Sequence, residues 1–331
     1  MGHLASYARN PRVELAALCD HDADWLAYVA KEYHPKKTYL TYGEMVADPE
    51  IDAVSVCLPN SFHAVASVAA LKAGKHVLCE KPMAVTVGEA KSMEEASLAS
   101  GKKLMISHQQ RFENNVAFLK ANADAGVFGK IYHIRITWRR PHGMMPLPNT
   151  VRANGGVYSR NWFNEKDNGG GVLRDLGTHL IDLAMYMTGF PAMLDASGSL
   201  GRHFYPEGFE NGEYVFDSED TAVAHIRFEG GLSVSLDVCF ASYTGNEVVS
   251  LEIYGTKGGA SRVNGDVRVY SNYGAADTAS NVIRYANKEK TSQEHFTDAI
   301  LNDTPVPIPG REGVAVIRVL DAIYKSAENK S

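Results

Sequence analysis

Residues 52–82 read DAVSVCLPNSFHAVASVAALKAGKHVLCEKP. Asp52–Pro59 and His76–Glu80 are short apolar runs with the length and composition of buried strands. Between them Ser61–Ala73 has the length of a helix, with Ser61 placed to cap its start and Gly74 to stop it. Strand, helix and strand at this spacing form a crossover unit, which makes the two strands parallel.

The same alternation extends in both directions. Upstream, Val13–Asp20 is a short apolar run, and Asp22–Glu32 sets Trp25, Leu26, Val29 and Ala30 on one side of a helix. Downstream, Thr86–Ser100 reads as a helix ended by Gly101, and Lys103–Ser107 as another strand. The expected class is α/β: an N-terminal Rossmann-type parallel sheet covered on both faces, followed by a second domain.

Composition narrows the function classes. A chain of 331 residues is long enough for two domains. Its net charge of −6 offers no basic footprint for nucleic acid or an acidic membrane surface. No apolar run approaches the roughly 20 residues of a membrane helix. Arg9, Arg12 and Glu14 interrupt any secretory core. Gly2 and Ser6 match a myristoylation pattern, but no polybasic stretch or nearby second Cys accompanies them, and a helix start accounts for both. Cys19, Cys57, Cys79 and Cys239 lie far apart in strand-like runs with no C-x-x-C, so reduced thiols and a cytoplasmic location are expected.

In parallel sheets of this kind, ligands bind at the carboxyl ends of the strands. There the sequence puts Cys19–Asp22, Pro59–His63, Glu80–Pro82 and His108–Arg111, a polar edge on an apolar sheet. Asp20 has two readings. It stands where a dinucleotide fold keeps the acid that binds the adenosine ribose, where a carboxylate favours NAD over NADP; or it caps the next helix, unless Asp22 does so. Lys81 follows an apolar strand and precedes a proline that stiffens the turn. Beside an oxidised nicotinamide its pKa would fall toward neutrality; otherwise it is an ordinary loop lysine.

After about residue 130 the periodicity changes. Lys130–Trp138 alternates apolar and polar residues, and a Gly-, Pro- and Asn-rich loop follows to about residue 160. Residues 169–189, GGGVLRDLGTHLIDLAMYMTG, end as a helix on Gly189. Asp175, His179 and Asp182 fall at i, i+4 and i+7, on one helical face. A carboxylate that orients an imidazole suits general acid–base work. With no third strong ligand nearby, no metal site is expected, and Asp182 also reads as a buried structural group. The three glycines read as a close backbone approach rather than a phosphate cradle. Thr221–Phe228, Leu232–Phe240, Val248–Tyr254 and Asp266–Tyr270 alternate like antiparallel strands, and two helices, near Gln293–Leu301 and Glu312–Ala327, close the chain.

These residues resemble the Gfo/Idh/MocA family of glucose–fructose oxidoreductase, inositol dehydrogenase and rhizopine-catabolism proteins. HVLCEKPMAVT (76–86) resembles its Glu-Lys-Pro signature, and GGGVLRDLGTHLIDL (169–183) its Asp-x-Gly-x-His-x-x-Asp helix. ADPEIDAVSVCLPNSFH, HQQRF, LEIYGTKGG and PIPGREGVAVIRVLDAIYKSA are similar to the family pattern too. The resemblance implies an NAD(P)-binding domain over residues 1–110 and a substrate and oligomerisation domain over 111–331, built on a large, mostly antiparallel open sheet. The last helix would pack back on the first domain, and a homodimer or homotetramer would form through the C-terminal sheet. It implies catalysis by Lys81, Asp175 and His179. Cofactor contacts would come from Asp20, His21, Pro59, Asn60, His63, Glu80, Lys81 and Gln109. Asp175 and His179, with Arg111 and Trp162, would line the substrate site. The implied reaction is oxidation of a secondary hydroxyl of a sugar, inositol or related cyclic polyol. Arg139, Arg140, His142, Arg152 and Arg160 either contact that substrate or serve as solvated or subunit-facing charges.

Two rivals remain at this stage. A branch of the superfamily cleaves glycosides through a transient oxidation, but its helix resembles Tyr-Pro-Thr-His, whereas Leu176-Gly177-Thr178-His179 stands here. A cofactor-sensing relative without activity would have no need of Lys81, Asp175 and His179 together. On the register of the resemblance, His3 and Pro11 place the G-x-G-x-x-G loop just before Met1, so the first strand and phosphate loop are expected to be missing and NAD binding weakened.

Overall fold

The computed structural model describes residues 2–141, 150–151, 157–158, 161–203, 215–273, 276–279 and 290–328. The chain divides into two units, one of Met1–Ser107, Leu147–Trp162 and Lys290–Val314, the other of His108–Pro146, Phe163–Glu289 and Ala315–Ser331.

The first unit opens with α1 (Gly2–Ala8), β1 (Ala17–Cys19), α2 (Ala23–Tyr33), β2 (Lys37–Tyr39) and α3 (Tyr42–Ala47). It continues with β3 (Ala53–Val56), α4 (His63–Lys72), β4 (His76–Cys79), α5 (Val87–Ser100) and β5 (Leu104–Ile106). The pairs among these five strands are all parallel, as the crossovers require, and they form two pieces, β1–β2 and β3–β4–β5. The centre is dry: Leu71, Val77, Leu78, Cys79, Met105 and Ile106 are fully buried. Each such aliphatic side chain contributes about 1.5–3 kcal/mol relative to exposure. Beyond β5, the extended link before the last helix joins in, with Ile106 N–H bonding the Ile308 carbonyl at 3.1 Å.

Local rules explain the helix ends. Asp22 caps α2 by accepting from Trp25 N–H at 2.9 Å, which releases Asp20 from that duty. Thr86 and Glu89 close a reciprocal capping box on α5, and Gly101 ends it in the left-handed region. Ser61 departs from expectation: it lies inside a 3₁₀ turn, Asn60–Phe62, and no side-chain hydrogen bond caps α4. The strand expected from Val13 starts only at Ala17, because Val13 and Ala16 are tied into tight turns by Asn10 and Glu14 carbonyls.

The remaining elements are α6 (Asn114–Asp124), β6 (Ile131–Arg139), the short pair β7 (Thr150–Val151) and β8 (Val157–Tyr158), and α7 (Thr178–Met187). Then come β9 (Met193–Gly201), β10 (Thr221–Phe228), β11 (Ser233–Cys239), β12 (Val248–Gly255), β13 (Gly258–Val263), β14 (Asp266–Tyr273), β15 (Ala276–Ala279), α8 (Ser292–Leu301) and α9 (Gly310–Glu328). Among the described residues the second unit's sheet has eight strands in the order β15-β14-β13-β12-β6-β11-β10-β9. All its pairs are antiparallel except β6 with β11. Ala222, Ala224, Ile226 and Phe228 of β10 point into the covered face while Val223, His225 and Arg227 point out. α7 lies over β6 and β11, with Leu180 and Leu183 fully buried. The first turn of α9 counts with the first unit, and its later turns with the second, where Tyr324 OH donates to Glu219 Oε1 at 2.8 Å. No helix among the described residues is long and apolar enough to cross a membrane.

Candidate active site

In the first unit the strand ends hold a connected polar set. Glu80, immediately after β4, takes His3 Nε2 at 2.7 Å on one oxygen and the Lys81 N–H at 3.2 Å on the other. Ser55 then links His3 Nδ1, at 3.2 Å, to the Tyr7 hydroxyl, at 2.7 Å. Burial alone would push His3 toward neutrality, but hydrogen bonds to Cys57 and Glu80 outweigh it and hold its pKa up at about 10. Burial likewise opposes the Glu80 carboxylate, and the His3 contact, with Lys81 beside it, reverses that and lowers the pKa. Lys81 therefore leaves the strand from a fixed point; its peptide bond to Pro82 is cis, and its side chain is half-buried.

The other expected cofactor contacts differ in character. Asp20 is about one-third exposed (35%) at the end of β1; one oxygen accepts from Asp22 N–H at 3.0 Å and lies 3.3 Å from His21 Nδ1, whose side chain is 97% exposed. Pro59 and Asn60 form the turn after β3, with Asn60 buried. His63, expected as a cofactor contact, is buried at the start of α4. It is 1% exposed and its ring nitrogens face the Pro82 carbonyl at 2.7 Å and the Leu58 carbonyl at 2.9 Å. Burial pushes its pKa down. A neutral ring donates its single N–H to one of these two carbonyls.

In the second unit, α7 is set in place by a close approach at Gly170 and Gly171. A Cβ on Gly170 would sit 2.4 Å from the Phe163 carbonyl oxygen, and one on Gly171 2.2 Å from Glu219 Oε1. Glu219 accepts the Leu173 N–H at 3.1 Å, and burial raises its pKa. The chain then makes a π-helical turn, Leu173–Gly177, in which Thr178 N–H reaches back to the Leu173 carbonyl, before α7 proper. Such widened turns often occur at functional sites.

Asp175 is half-buried on that turn, and His179 is 6% exposed one turn on. Two aromatic rings flank His179: Trp138 from β6, with ring centres 5.9 Å apart, and His108 edge-on at 6.4 Å. Asp182, expected on the same face, is 1% exposed and engaged elsewhere. It accepts from Arg111 Nε at 2.8 Å and Nη2 at 2.5 Å, and lies 3.7 Å from His108 Nε2. The Arg111 guanidinium is stacked on Tyr186 at 4.7 Å and Phe190 at 4.9 Å. Arg111, expected to line the substrate site, holds its fork on this buried carboxylate.

Gln109 is exposed in the turn after β5, and Trp162 is half-buried in the turn Asn161–Asn164. Arg139 and Arg140 face acids, Asp237 at 3.7 Å and Glu247 at 3.6 Å, while His142, Arg152 and Arg160 lie outside the described residues. The neighbours that sequence reasoning missed are His108 and Trp138. His108 was visible at a strand end, but no spacing ties it to a histidine 71 residues later; Trp138 read only as one member of an alternating strand.

Known proteins carry the same plan. Residues 2–108 match the model described as an oxidoreductase family with an NAD-binding Rossmann fold, and residues 116–261 match the GFO/IDH/MocA C-terminal domain. The chain belongs to the Gfo/Idh/MocA family of oxidoreductases. Among its relatives, a D-glucoside 3-dehydrogenase of Escherichia coli (strain K12) is 28% identical, the match covering 98% of this chain and 91% of that one. A myo-inositol 2-dehydrogenase of Thermotoga maritima is 26% identical over 96% of this chain and 89% of its own. The fold matches that of levoglucosan dehydrogenase in complex with NADH and levoglucosan, at a TM-score of 0.85 with 23% identity, covering 99% of this chain and 95% of that one.

As a Gfo/Idh/MocA member the chain is a dehydrogenase with an NAD-binding Rossmann domain. In its first unit a partly exposed carboxylate, Asp20, ends β1. A buried and hydrogen-bonded Asn60 turn and the tethered Glu80–Lys81 pair end the next strands.

Proposed function

We propose that this chain uses NAD in preference to NADP to oxidise a secondary hydroxyl of a sugar, an inositol or a related cyclic polyol. His179 accepts the hydroxyl proton, Asp175 orients the imidazole and stabilises its charged form, and Lys81 polarises and helps hold the reacting oxygen. Bound nicotinamide supplies the hydride acceptor. Asp20 holds the adenosine ribose and repels a 2′-phosphate. Pro59, Asn60 and Glu80 line the cofactor, and Gln109 and Trp162 border the site. Arg111 acts at one remove, by fixing Asp182 on the helix that carries His179.

The observation that carries this reading is the setting of His179: a buried imidazole between Trp138 and His108, one turn after Asp175, on a helix whose start is braced by Glu219. The names of the dehydrogenase relatives support the substrate class. The chain is proposed to work in the cytoplasm as a homodimer or homotetramer. The open face of the large sheet would be the contact, since it exposes Val223 and Val263. Analytical ultracentrifugation tests the assembly.

The deciding experiment follows NADH absorbance with inositols, aldoses, anhydrosugars and sugar acids. Lys81→Ala and His179→Ala should each lower kcat by roughly 10²–10⁴ on a confirmed substrate. Wild-type turnover in either variant would sink the reading.

A further inference from the structure

Trp138 reaches His179 from the face of β6 that α7 covers. Ile134, Ile136 and Trp138 alternate onto that face, and both isoleucines are fully buried. Of these three side chains only the indole has a polar atom, an N–H that donates and cannot accept. Where that donor goes decides how firmly the ring is held. Trp138 Nε1 donates to Glu247 Oε1 at 2.8 Å.

Glu247 is itself held on two sides. It immediately precedes β12, where Val248 pairs with Arg139 and Val249 with Trp138. Asn264, in the turn between β13 and β14, donates from Nδ2 to the Glu247 carbonyl at 2.9 Å and accepts from Val249 N–H at 2.7 Å. The Glu247 carboxylate also faces Arg140 at 3.6 Å. The Arg140 backbone is tied in turn: its N–H bonds the Cys239 carbonyl at 3.1 Å, and its carbonyl accepts from Ser242 N–H at 2.8 Å and Ser242 Oγ at 3.0 Å. Its guanidinium lies over the Trp138 ring at 5.7 Å and the Phe240 ring at 5.8 Å. The same cation therefore faces both the carboxylate and the indole that the carboxylate holds.

The result is a linked set within the second unit, from Asn264 to Glu247 to Trp138 to His179. Its last step is the ring contact, with centres 5.9 Å apart and planes at 40°. An imidazole that takes a proton must present a nitrogen at a set place and angle. A misplacement of about 1 Å, caused far from the chemistry, can cost roughly 100-fold in rate.

We propose that Glu247 is a positioning residue for the reaction: its hydrogen bond fixes the Trp138 indole, and the indole sets the orientation of the His179 imidazole. This rests on the reading of His179 as the base. The bond is charge-assisted, but the Glu247 side chain is 49% exposed, so water weakens it. Its loss should slow turnover without abolishing it.

The test uses two substitutions at one position. Glu247→Leu removes the acceptor; kcat on a substrate from the absorbance screen should fall by about three- to tenfold while KM stays within about twofold. Glu247→Gln gives up the charge but keeps an oxygen for the indole, and should recover most of the loss. A role confined to the ion pair with Arg140 predicts the reverse, with Gln as slow as Leu, and that result would overturn the proposal. A second readout needs no turnover. The chain has three tryptophans, so its indole N–H protons give three assignable magnetic resonance signals in isotope-labelled protein. The His179 ring signals are those that vanish in His179→Ala. Glu247→Leu should move the Trp138 N–H signal upfield and displace the His179 ring signals, and Glu247→Gln should leave the latter near their wild-type positions. Unmoved His179 signals or wild-type kcat in Glu247→Leu would each overturn the proposal. Wild-type turnover in His179→Ala would instead defeat the base reading, while displaced His179 signals in Glu247→Leu would still support the link from carboxylate to indole to imidazole.

Discussion

Replacing Asp182 with alanine should damage the fold of the second unit before it touches the chemistry. The carboxylate is 1% exposed and the Arg111 guanidinium 3% at the side chain, so the pair sits outside the screening reach of water. Two hydrogen bonds, at 2.8 and 2.5 Å, join them, and Tyr186 and Phe190 stack on the guanidinium. Asp182→Ala strands a buried cation among aromatic rings. Loss of one partner from such a pair costs about 3–5 kcal/mol. For a folding unit of 150–250 residues, each kcal/mol moves the melting temperature by about 2–4 °C, so the expected fall is roughly 6–20 °C. The companion is Arg111→Met with Asp182→Leu, which removes both charges and refills the space; most of the lost stability should return. Calorimetric melts at pH 7 measure all three proteins and give the coupling as a double-mutant cycle. A single variant melting within about 2 °C of wild type, or a double variant no more stable than Asp182→Ala, would refute the reasoning. The contrast with His179→Ala matters, because both residues share one helical face: one substitution should cost stability, the other turnover.

Three further outcomes are expected. Asp20→Ser should narrow the preference for NAD over NADP, with NADP affinity rising by about tenfold in calorimetry; unchanged affinities would show that Asp20 does not face the ribose. His3 has its pKa raised from 6.5 to about 10, so its contribution to stability is fully present below pH 6.5 and is lost as pH rises through about 10; Glu80, lowered from 4.5, contributes above that value and loses its share on acidification. The melting temperature should therefore fall from pH 6.5 to 10, and His3→Gln should flatten that slope; an equally steep fall in the variant would count against the pair. Gly171 has φ +112°, and its Cβ would lie 2.2 Å from Glu219 Oε1, so Gly171→Ala should displace the start of α7. A cost of about 1–3 kcal/mol in chemical denaturation, with a fall in kcat, is expected; wild-type stability and turnover together would contradict the role given to Glu219.

Much of this was legible in the amino-acid order because it depends on contacts a few residues apart. The cap at Asp22, the stops at Gly74 and Gly101 and the crossover rhythm all follow from rules spanning about four residues. The same range puts Lys81 at a strand end and His179 one turn beyond Asp175. Local rules also misled, at Ser61, where a 3₁₀ turn replaced the cap, and they did not foresee the buried partners of His63 and Arg111. β9 and β13 escaped notice because MLDASGSLG and GGASRV are rich in residues that rarely favour strands; they are strands because neighbours pair with them. The parallel pairing of β6 with β11, the Arg111–Asp182 pair, the His3–Glu80 bond and the Arg262–Glu113 pair join residues dozens of positions apart or more. No periodicity reports such meetings. Burial chooses them, because a polar group leaving water must take whatever partner the packed chain brings within reach.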